Sequence, residues 1–265
     1  MTPMKFIRPL ERLKWIFTKK FNRNHAKIKS TKEMYSVKGY KYSPKRHAMH
    51  MRIVHAIMKQ APSPPKTERP IAILIGGGTA SGKTMMRKTV IEKQLAEEGV
   101  QAIIVDPDDI KTYIPEYHSL QKTHPNDAAR LVHQESRDIS DLLLKQLIRH
   151  RKHFIYEGTM ARTRAYKQLM KKLKKAGYKV HIYIVDIPLE LAKQRAKERA
   201  KMTGRKIPYQ VIENTHKLVP RTFQAIKDFA DRYYVYDNQD KLVLIASNDY
   251  IEPVLYNNFL KKGKT

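Results

Sequence analysis

Residues 77–84 read Gly-Gly-Thr-Ala-Ser-Gly-Lys-Thr, which fits the pattern GxxxxGK[ST]. The apolar run Ile-Ala-Ile-Leu-Ile at 71–75 comes directly before it. A buried strand, a glycine-rich loop and a helix start are therefore expected in this order, which is the context that a phosphate-binding loop requires. The free backbone N–H groups of such a loop and the positive end of the helix dipole face a bound anion. The segment predicts a loop that binds the phosphates of ATP or GTP.

Individual positions of this loop have separate expected roles. Lys83 should reach the β- and γ-phosphates, and the Thr84 hydroxyl should ligate Mg²⁺. A glycine turn that only closes the corner between a strand and a helix is the alternative, and the complete motif in its proper context argues against it. The loop residues expected to bind ATP are Gly77, Gly78, Thr79, Ala80, Ser81, Gly82, Lys83 and Thr84.

From residue 70 onward, apolar runs alternate with helical patterns. The predicted strands are 71–75, 102–106, 153–157, 179–186, 232–236 and 241–247. The predicted helices lie near 83–98, 126–149, 163–176, 188–203 and 208–230. This alternation is typical of an α/β fold in which helices cover both faces of a parallel sheet. With the loop motif, it predicts a P-loop NTPase or kinase fold.

The first 69 residues differ in composition from the rest of the chain. They hold 18 lysines and arginines against 3 acidic residues, a net charge of +15, whereas 70–265 has a net charge of +13. Helical spacing over 10–21, a second helical pattern at 45–60 and a Pro-rich linker at 61–65 predict a basic helical extension, 1–69, and a P-loop domain, 70–265. All candidate catalytic residues follow position 75, so a chain starting near Pro64 is expected to fold and stay active.

Composition limits the functional classes. No apolar run approaches the roughly 18 residues of a membrane span. The chain has no cysteine, which excludes disulfides and thiolate metal sites, and we expect a cytoplasmic protein. The net charge of +28 could attract nucleic acid, anionic membrane or acidic small molecules, or reflect a solvated surface. Nucleic acid is the least favoured of these binding partners, since the basic region has few aromatic residues on which bases could stack. The 10–21 helix could lie on a membrane, although packing on the neighbouring domain is more common.

Carboxylates follow two predicted strands, at the ends where ligands bind to parallel sheets. The strand at 102–106 runs into Asp106-Pro-Asp108-Asp109, and the strand at 153–157 ends in Glu157-Gly-Thr159. One of the aspartates could accept a proton from an attacking hydroxyl, and the alternative is a turn with a helix cap. Glu157 could hold Mg²⁺ through water or orient a substrate.

Arginines follow in a later predicted helix. Arg195 and Arg199 are four residues apart and so share one helix face, and Arg205 comes shortly after them. Arginines on a mobile segment can close over a triphosphate and neutralise charge in the transition state. A solvated basic helix is the alternative for the first two.

Together these residues resemble the zeta toxin family of P-loop kinases over roughly residues 70–250. The resemblance rests on the order and spacing of motifs at 76–84, 105–111, 133–136, 156–159, 203–205 and 235–238. It implies ATP and Mg²⁺ as cofactors and transfer of the γ-phosphate to a sugar nucleotide, typically to the 3′-OH of UDP-N-acetylglucosamine. It also implies that an antitoxin is a possible partner, either as a separate protein or as an inhibitory segment within 1–69. A kinase for NAD or another hydroxyl is the first alternative, and a protein that binds nucleic acid or modifies its ends is the second.

The resemblance also implies roles for single residues. Asp108 falls on the catalytic base, and Arg205 matches a lid arginine with Arg195 or Arg199 as its partner. Asp106 joins Thr84 as a metal ligand. Ala161 stands where the family usually has an arginine, so a shift of one position brings Arg162 into that role. The residues that fall on the acceptor site are Asp108, Glu135, Glu157, Thr159 and Arg162, and Asn238 falls on the ATP site.

Overall fold

The structure, a computed structural model, describes residues 28–37, 41–203 and 207–264. The predicted helix at 10–21 and the lid arginine Arg205 lie outside these ranges. The described part begins with helix α1 (Thr31–Tyr35), an antiparallel hairpin of β1 (Ser36–Val37) and β2 (Lys41–Tyr42), and helix α2 (Pro44–Met58). None of the helices in the described ranges has both the length and the apolar composition needed to cross a bilayer.

A six-stranded sheet lies at the centre of the described residues. Its strands are β3 (Ile71–Gly77), β4 (Ile103–Val105), β5 (Phe154–Glu157), β6 (Lys179–Asp186), β7 (Arg232–Asp237) and β8 (Val243–Ser247). All six predicted strands are confirmed within two residues at each end. The spatial order β4-β5-β3-β6-β7-β8 places β3, which carries the phosphate-binding loop, between β5 and β6.

The last strand runs against the others. Neighbouring strands from β4 to β7 are parallel, whereas β8 is antiparallel to β7. The expectation of a parallel sheet is therefore correct for five strands and wrong for β8. Residues 238–242 are too few for the crossover of a dozen or more residues that a parallel connection needs, so the two strands form a hairpin.

Helices cover both faces of the sheet, as predicted. Ile73 and Ile75 of β3 pack in one buried cluster with the helix at 83–97, whereas Leu74 points the other way into a second cluster with helices from elsewhere in the chain. The helices are α3 (Lys83–Met86, a π-turn at Arg87–Ile91 and Glu92–Glu97), α4 (Pro107–Ile110), α5 (Pro115–Thr123), α6 (Ala128–Arg149), α7 (Thr163–Lys175), α8 (Leu189–Thr203), α9 (Tyr209–Ile226) and α10 (Pro253–Lys261).

The described part of the basic extension packs against the sheet domain. Ser43 caps α2 by accepting the Arg46 N–H, and Pro44 occupies the first turn, where its missing N–H costs nothing. Ile53, Val54 and Ile57 of α2 are buried in the same cluster as residues of the central sheet. The division of the chain at residue 69 stays a prediction, but the apolar side of α2 belongs to the main core.

Candidate active site

The phosphate-binding loop joins β3 to α3, in the order that the sequence predicts. Gly82 precedes α3 with φ +98°, a conformation that favours glycine. A Cβ atom on Gly82 would lie 2.3 Å from Nδ2 of Asn238. This amide donates a hydrogen bond to the Ser81 carbonyl oxygen at 2.9 Å. Asn238 therefore supports the loop from behind, and its contact with ATP stays a prediction.

Lys83 lies at the mouth of this loop. Its Nζ atom donates to the carbonyl oxygens of Gly77 and Gly78, both at 3.0 Å. Burial lowers the pKa of Lys83, and the negative charge of Glu157 opposes this shift. The ammonium group is thus held where the terminal phosphates of a bound nucleotide would meet it.

Glu157, at the end of β5, contacts the first turns of α3. Its Oε1 atom accepts a hydrogen bond from the Thr84 hydroxyl at 2.6 Å, and its Oε2 atom accepts one from Nε of Arg87 at 2.8 Å. Arg87 also contacts Glu92 at 2.6 Å and is almost fully buried. Parallel pairing of β3 with β5 brings this carboxylate beside the loop, as expected from the sequence.

Asp106 follows β4 at the same edge of the sheet. Its Oδ1 atom accepts the Asp108 N–H at 2.7 Å and so caps α4, which assigns the cap to Asp106 rather than to Asp108 or Asp109. Burial, and then the charge of Glu157, raises the pKa of Asp106 to about 7. The negative charges of Asp106 and Glu157 repel each other. A cation bound between the two carboxylates would relieve this repulsion.

The residues around Thr84 fit Mg²⁺ in the manner of nucleotide kinases. A hydroxyl and one or two carboxylates, completed by phosphate oxygens and water, are the usual ligands of Mg²⁺ at such sites. Thr84, Asp106 and Glu157 supply oxygens of this kind. The described ranges contain no group of three or more His, Asp or Glu side chains that could hold a metal ion by themselves.

Asp108, the predicted base, is paired with a lysine that sequence reasoning did not single out. Lys111 Nζ donates to Asp108 Oδ1 at 2.6 Å, and Lys111 is only 2% exposed. Asp108 itself is 40% exposed, so one side of its carboxylate faces outward while the other is held. The signal in the sequence was the spacing of three residues, which places both side chains on one face of a helical turn.

Glu135 lies in α6, and its carboxylate accepts hydrogen bonds from side chains of α2. Arg46 donates to Oε1 and Oε2 at 2.6 and 2.9 Å, and Nε2 of His50 lies 2.6 Å from Oε1. Although burial alone would raise the pKa of Glu135, the hydrogen bonds from His50 and Arg46 lower it to about 2. An acceptor hydroxyl would have to displace these partners, so the expected contact of Glu135 with substrate stays a prediction.

Thr159 and Arg162 follow Glu157 on the way to α7. Both side chains are exposed beside the sheet edge, and Arg162 directly precedes the first residue of α7. Burial raises the pKa of Tyr156, and the positive charge of Arg162 partly offsets this, so Arg162 lies near that ring. Their roles in the acceptor site stay predictions.

The two arginines of α8 point to different neighbours. Arg195 Nη2 donates to the Gln239 carbonyl oxygen at 2.9 Å. Arg199 lies near enough to the loop for its charge, after burial, to contribute to the lowered pKa of Lys83. Arg205 lies outside the described ranges.

The sequence model of the Zeta toxin family matches residues 54–249. The chain belongs to the zeta toxin family. It is 25% identical over 215 residues to Toxin PezT of Streptococcus pneumoniae serotype 4, which covers 75% of this chain and 83% of that protein. Toxin zeta of Streptococcus pyogenes is 26% identical over 166 residues, 60% of this chain and 56% of that one, so the match spans just over half of that relative.

The same fold occurs in a solved structure. A crystal structure of AvrRxo1-ORF1 and AvrRxo1-ORF2 with ATP aligns with a TM-score of 0.68 and 20% identity, covering 88% of this chain and 82% of that one. At this level of identity the similarity shows the P-loop kinase fold only.

The enzyme class follows from the family and the loop together. Zeta toxin family members are kinases, and this chain has the complete phosphate-binding loop beside two carboxylates at strand ends. It is a phosphotransferase with an alcohol group as acceptor. Two residues that sequence reasoning missed, Arg87 and Lys111, are buried cations that hold Glu157 and Asp108 in this zeta toxin family site.

Proposed function

We propose that this zeta toxin family kinase transfers the γ-phosphate of ATP to a hydroxyl of a sugar nucleotide, with the 3′-OH of UDP-N-acetylglucosamine as the first candidate. The observation that carries the proposal is the position of Glu157 and Asp108 beside the loop that holds Lys83 and Thr84. The loop would bind the phosphate donor and Asp108 would accept the proton of the hydroxyl, so both substrates would bind at the same edge of the sheet.

In the proposed reaction, the loop binds the triphosphate through its N–H groups and the Lys83 ammonium group. Asp108 accepts the proton of the acceptor hydroxyl as that oxygen forms a bond to the γ-phosphorus. The bond from the γ-phosphorus to the bridging oxygen breaks, and ADP leaves with the electron pair. Mg²⁺, when bound through Thr84 and Asp106, supplies neutralisation of the phosphate charge. The ion pair with Lys111 fixes the orientation of the Asp108 carboxylate.

The arginines have separate proposed roles. Arg199 is the partner of Arg205 over the phosphates, because its charge reaches Lys83. Arg195 instead holds the turn after β7 through Gln239. Glu157, Thr159 and Arg162 line the acceptor side, whereas Glu135 acts indirectly by anchoring α2 to α6.

An antitoxin partner is part of the proposal. The fold is shared with AvrRxo1-ORF1, whose solved structure includes AvrRxo1-ORF2 as a second protein, and the family relative PezT carries the name of a toxin. Either a separate antitoxin protein or an inhibitory segment within 1–69 would fill this role. Higher activity of a chain that starts at Ile28 than of the full chain would indicate the inhibitory segment.

The experiment that tests the function incubates the protein with ATP, Mg²⁺ and a panel of acceptors. The panel contains UDP-N-acetylglucosamine, other sugar nucleotides, NAD and a single-stranded oligonucleotide, and mass spectrometry detects the acceptor that gains one phosphate. The Lys83→Ala variant is the matched control. Phosphorylation of NAD alone would replace the sugar nucleotide with the first alternative, and phosphorylation of the oligonucleotide alone would support the second.

A further inference from the structure

Helix α9 holds the phosphate-binding loop from the side. The Thr79 N–H donates to Oγ1 of Thr215 at 3.1 Å, and the Thr79 carbonyl oxygen lies 3.0 Å from Nε2 of His216. The two threonine Oγ1 atoms are 3.2 Å apart. Both backbone polar groups of Thr79, the third residue of the 77–84 motif, are thus bonded to α9. The shape of this half of the loop therefore depends on a helix more than 130 residues away in the chain.

His216 also explains the glycine at position 78. A Cβ atom on Gly78 would lie 2.2 Å from Nε2 and Cδ2 of the His216 ring. A side chain at this position would have to move either the ring or the backbone of the loop. The His216 ring therefore fits against the loop only because residue 78 has no side chain.

The ring is present at a cost to stability. His216 is buried, and burial lowers its pKa to about 4, which the hydrogen bond to Thr79 opposes. It is neutral at pH 7, and because a carbonyl oxygen only accepts, the proton lies on Nε2. Its Nδ1 atom then has no hydrogen-bond partner among the described residues. An apolar side chain would avoid this unpaired buried atom, which usually costs about 1–3 kcal/mol. Core packing alone does not account for a histidine here.

We propose that Thr215 and His216 are positioning residues of the kinase, which hold the first half of the phosphate-binding loop in the shape that receives ATP. The inference rests on the proposed use of ATP.

The first test compares ATP binding by calorimetry in His216→Leu, His216→Gln and Thr215→Val. We expect His216→Leu to raise the ATP dissociation constant at least about tenfold, the size of effect that one lost hydrogen bond can produce. Its thermal midpoint should change little, because removal of the unpaired Nδ1 offsets the lost hydrogen bond to the Thr79 oxygen. His216→Gln, whose amide N–H can still reach the Thr79 oxygen, should recover most of the affinity. Thr215→Val should weaken ATP binding in the same way.

The second test combines two substitutions. Gly78→Ala should abolish ATP binding through the clash with the ring, and adding His216→Ala should restore part of it. The inference is overturned if the double variant binds no better than Gly78→Ala, or if His216→Leu keeps its ATP affinity within about twofold of wild type. Wild type that binds ATP but phosphorylates no sugar nucleotide would overturn the proposed acceptor alone. Wild type that binds no ATP would overturn both proposals.

Discussion

Arg46 and Glu135 form a paired fork between two helices, with Nε 2.6 Å from Oε1 and Nη2 2.9 Å from Oε2. Arg46 lies in α2 and Glu135 in α6, and both side chains are buried. Arg46 also donates to both carboxylate oxygens of Glu116, at 2.8 and 2.7 Å, and the Tyr35 ring lies 3.8 Å from its guanidinium carbon. One guanidinium therefore links α2, α5 and α6. Helix α5 follows α4, the helix that contains Asp108, after a short connection.

Replacing Arg46 should destabilise the protein strongly. Arg46→Ala leaves the buried Glu135 carboxylate without its main partner, which typically costs about 3–5 kcal/mol. Urea-induced unfolding measures this loss. Arg130→Ala is the matched control, because its ion pair with Asp127 is exposed, 63% and 43%, and should contribute less than about 1 kcal/mol. Equal stability of the two variants would contradict the structural role of Arg46.

Removal of the extension should prevent folding, which reverses the expectation from the sequence. A chain that starts near Pro64 lacks Ile53, Val54 and Ile57 from the main core and lacks both Arg46 and His50 opposite Glu135. We expect aggregation or loss of the thermal transition. A chain that starts at Ile28 is the comparison, and it should fold because it keeps these contacts. A folded and active protein starting near Pro64 would contradict this prediction and support the division into 1–69 and 70–265 that the sequence suggests.

Lys83→Ala should abolish phosphoryl transfer and leave the fold intact. The ammonium group compensates phosphate charge in the transition state, and loss of one such donor lowers turnover by about 10²–10³-fold. Steady-state assays with ATP measure the loss, and circular dichroism checks the fold. Lys88→Ala, on an exposed turn of α3, serves as the control. Retention of more than about a tenth of wild-type turnover would remove Lys83 from this role.

Asp108→Asn should suppress turnover by about 10²–10⁴-fold with little change in ATP affinity, because the amide cannot accept the hydroxyl proton. Asp109→Asn is the internal control. The Asp109 carboxylate is 65% exposed, and its contact with Arg87 is long, at 4.0 Å. Single-turnover rates compare the variants. Greater damage from Asp109→Asn would shift the base by one position.

Arg199→Ala should lower kcat at least about tenfold while raising KM little, because a lid arginine acts mainly on charge in the reacting complex. Arg195→Ala should have a smaller effect, since this side chain is engaged by the Gln239 carbonyl oxygen. Steady-state kinetics with varied ATP distinguishes the two. The reverse order of effects would exchange their roles, and a rise in KM at unchanged kcat would indicate uniform binding instead.

The local pattern of the chain was enough for most of the fold. The six strands and the helices around 83–97, 128–149 and 163–175 lie where the apolar periodicity predicts them. Helices α1, α4, α5 and α10 and the hairpin of β1 and β2 were not predicted, because short elements have weak periodic signals. The strand β8 was predicted but its antiparallel direction was not, although the short connection at 238–242 indicates a hairpin.

The sequence by itself determined the phosphate-binding loop, the carboxylates at the strand ends and the family. These depend on residues close together in the chain, where spacing and backbone chemistry act locally. Only the tertiary structure decided that Arg46 engages Glu135, that the buried Lys111 pairs with Asp108, and that His216 lies against Gly78. Buried charges and hydrogen bonds find their partners through the packing of elements distant in sequence. Their burial, which makes those pairings strong, is a property of the assembled core rather than of any segment.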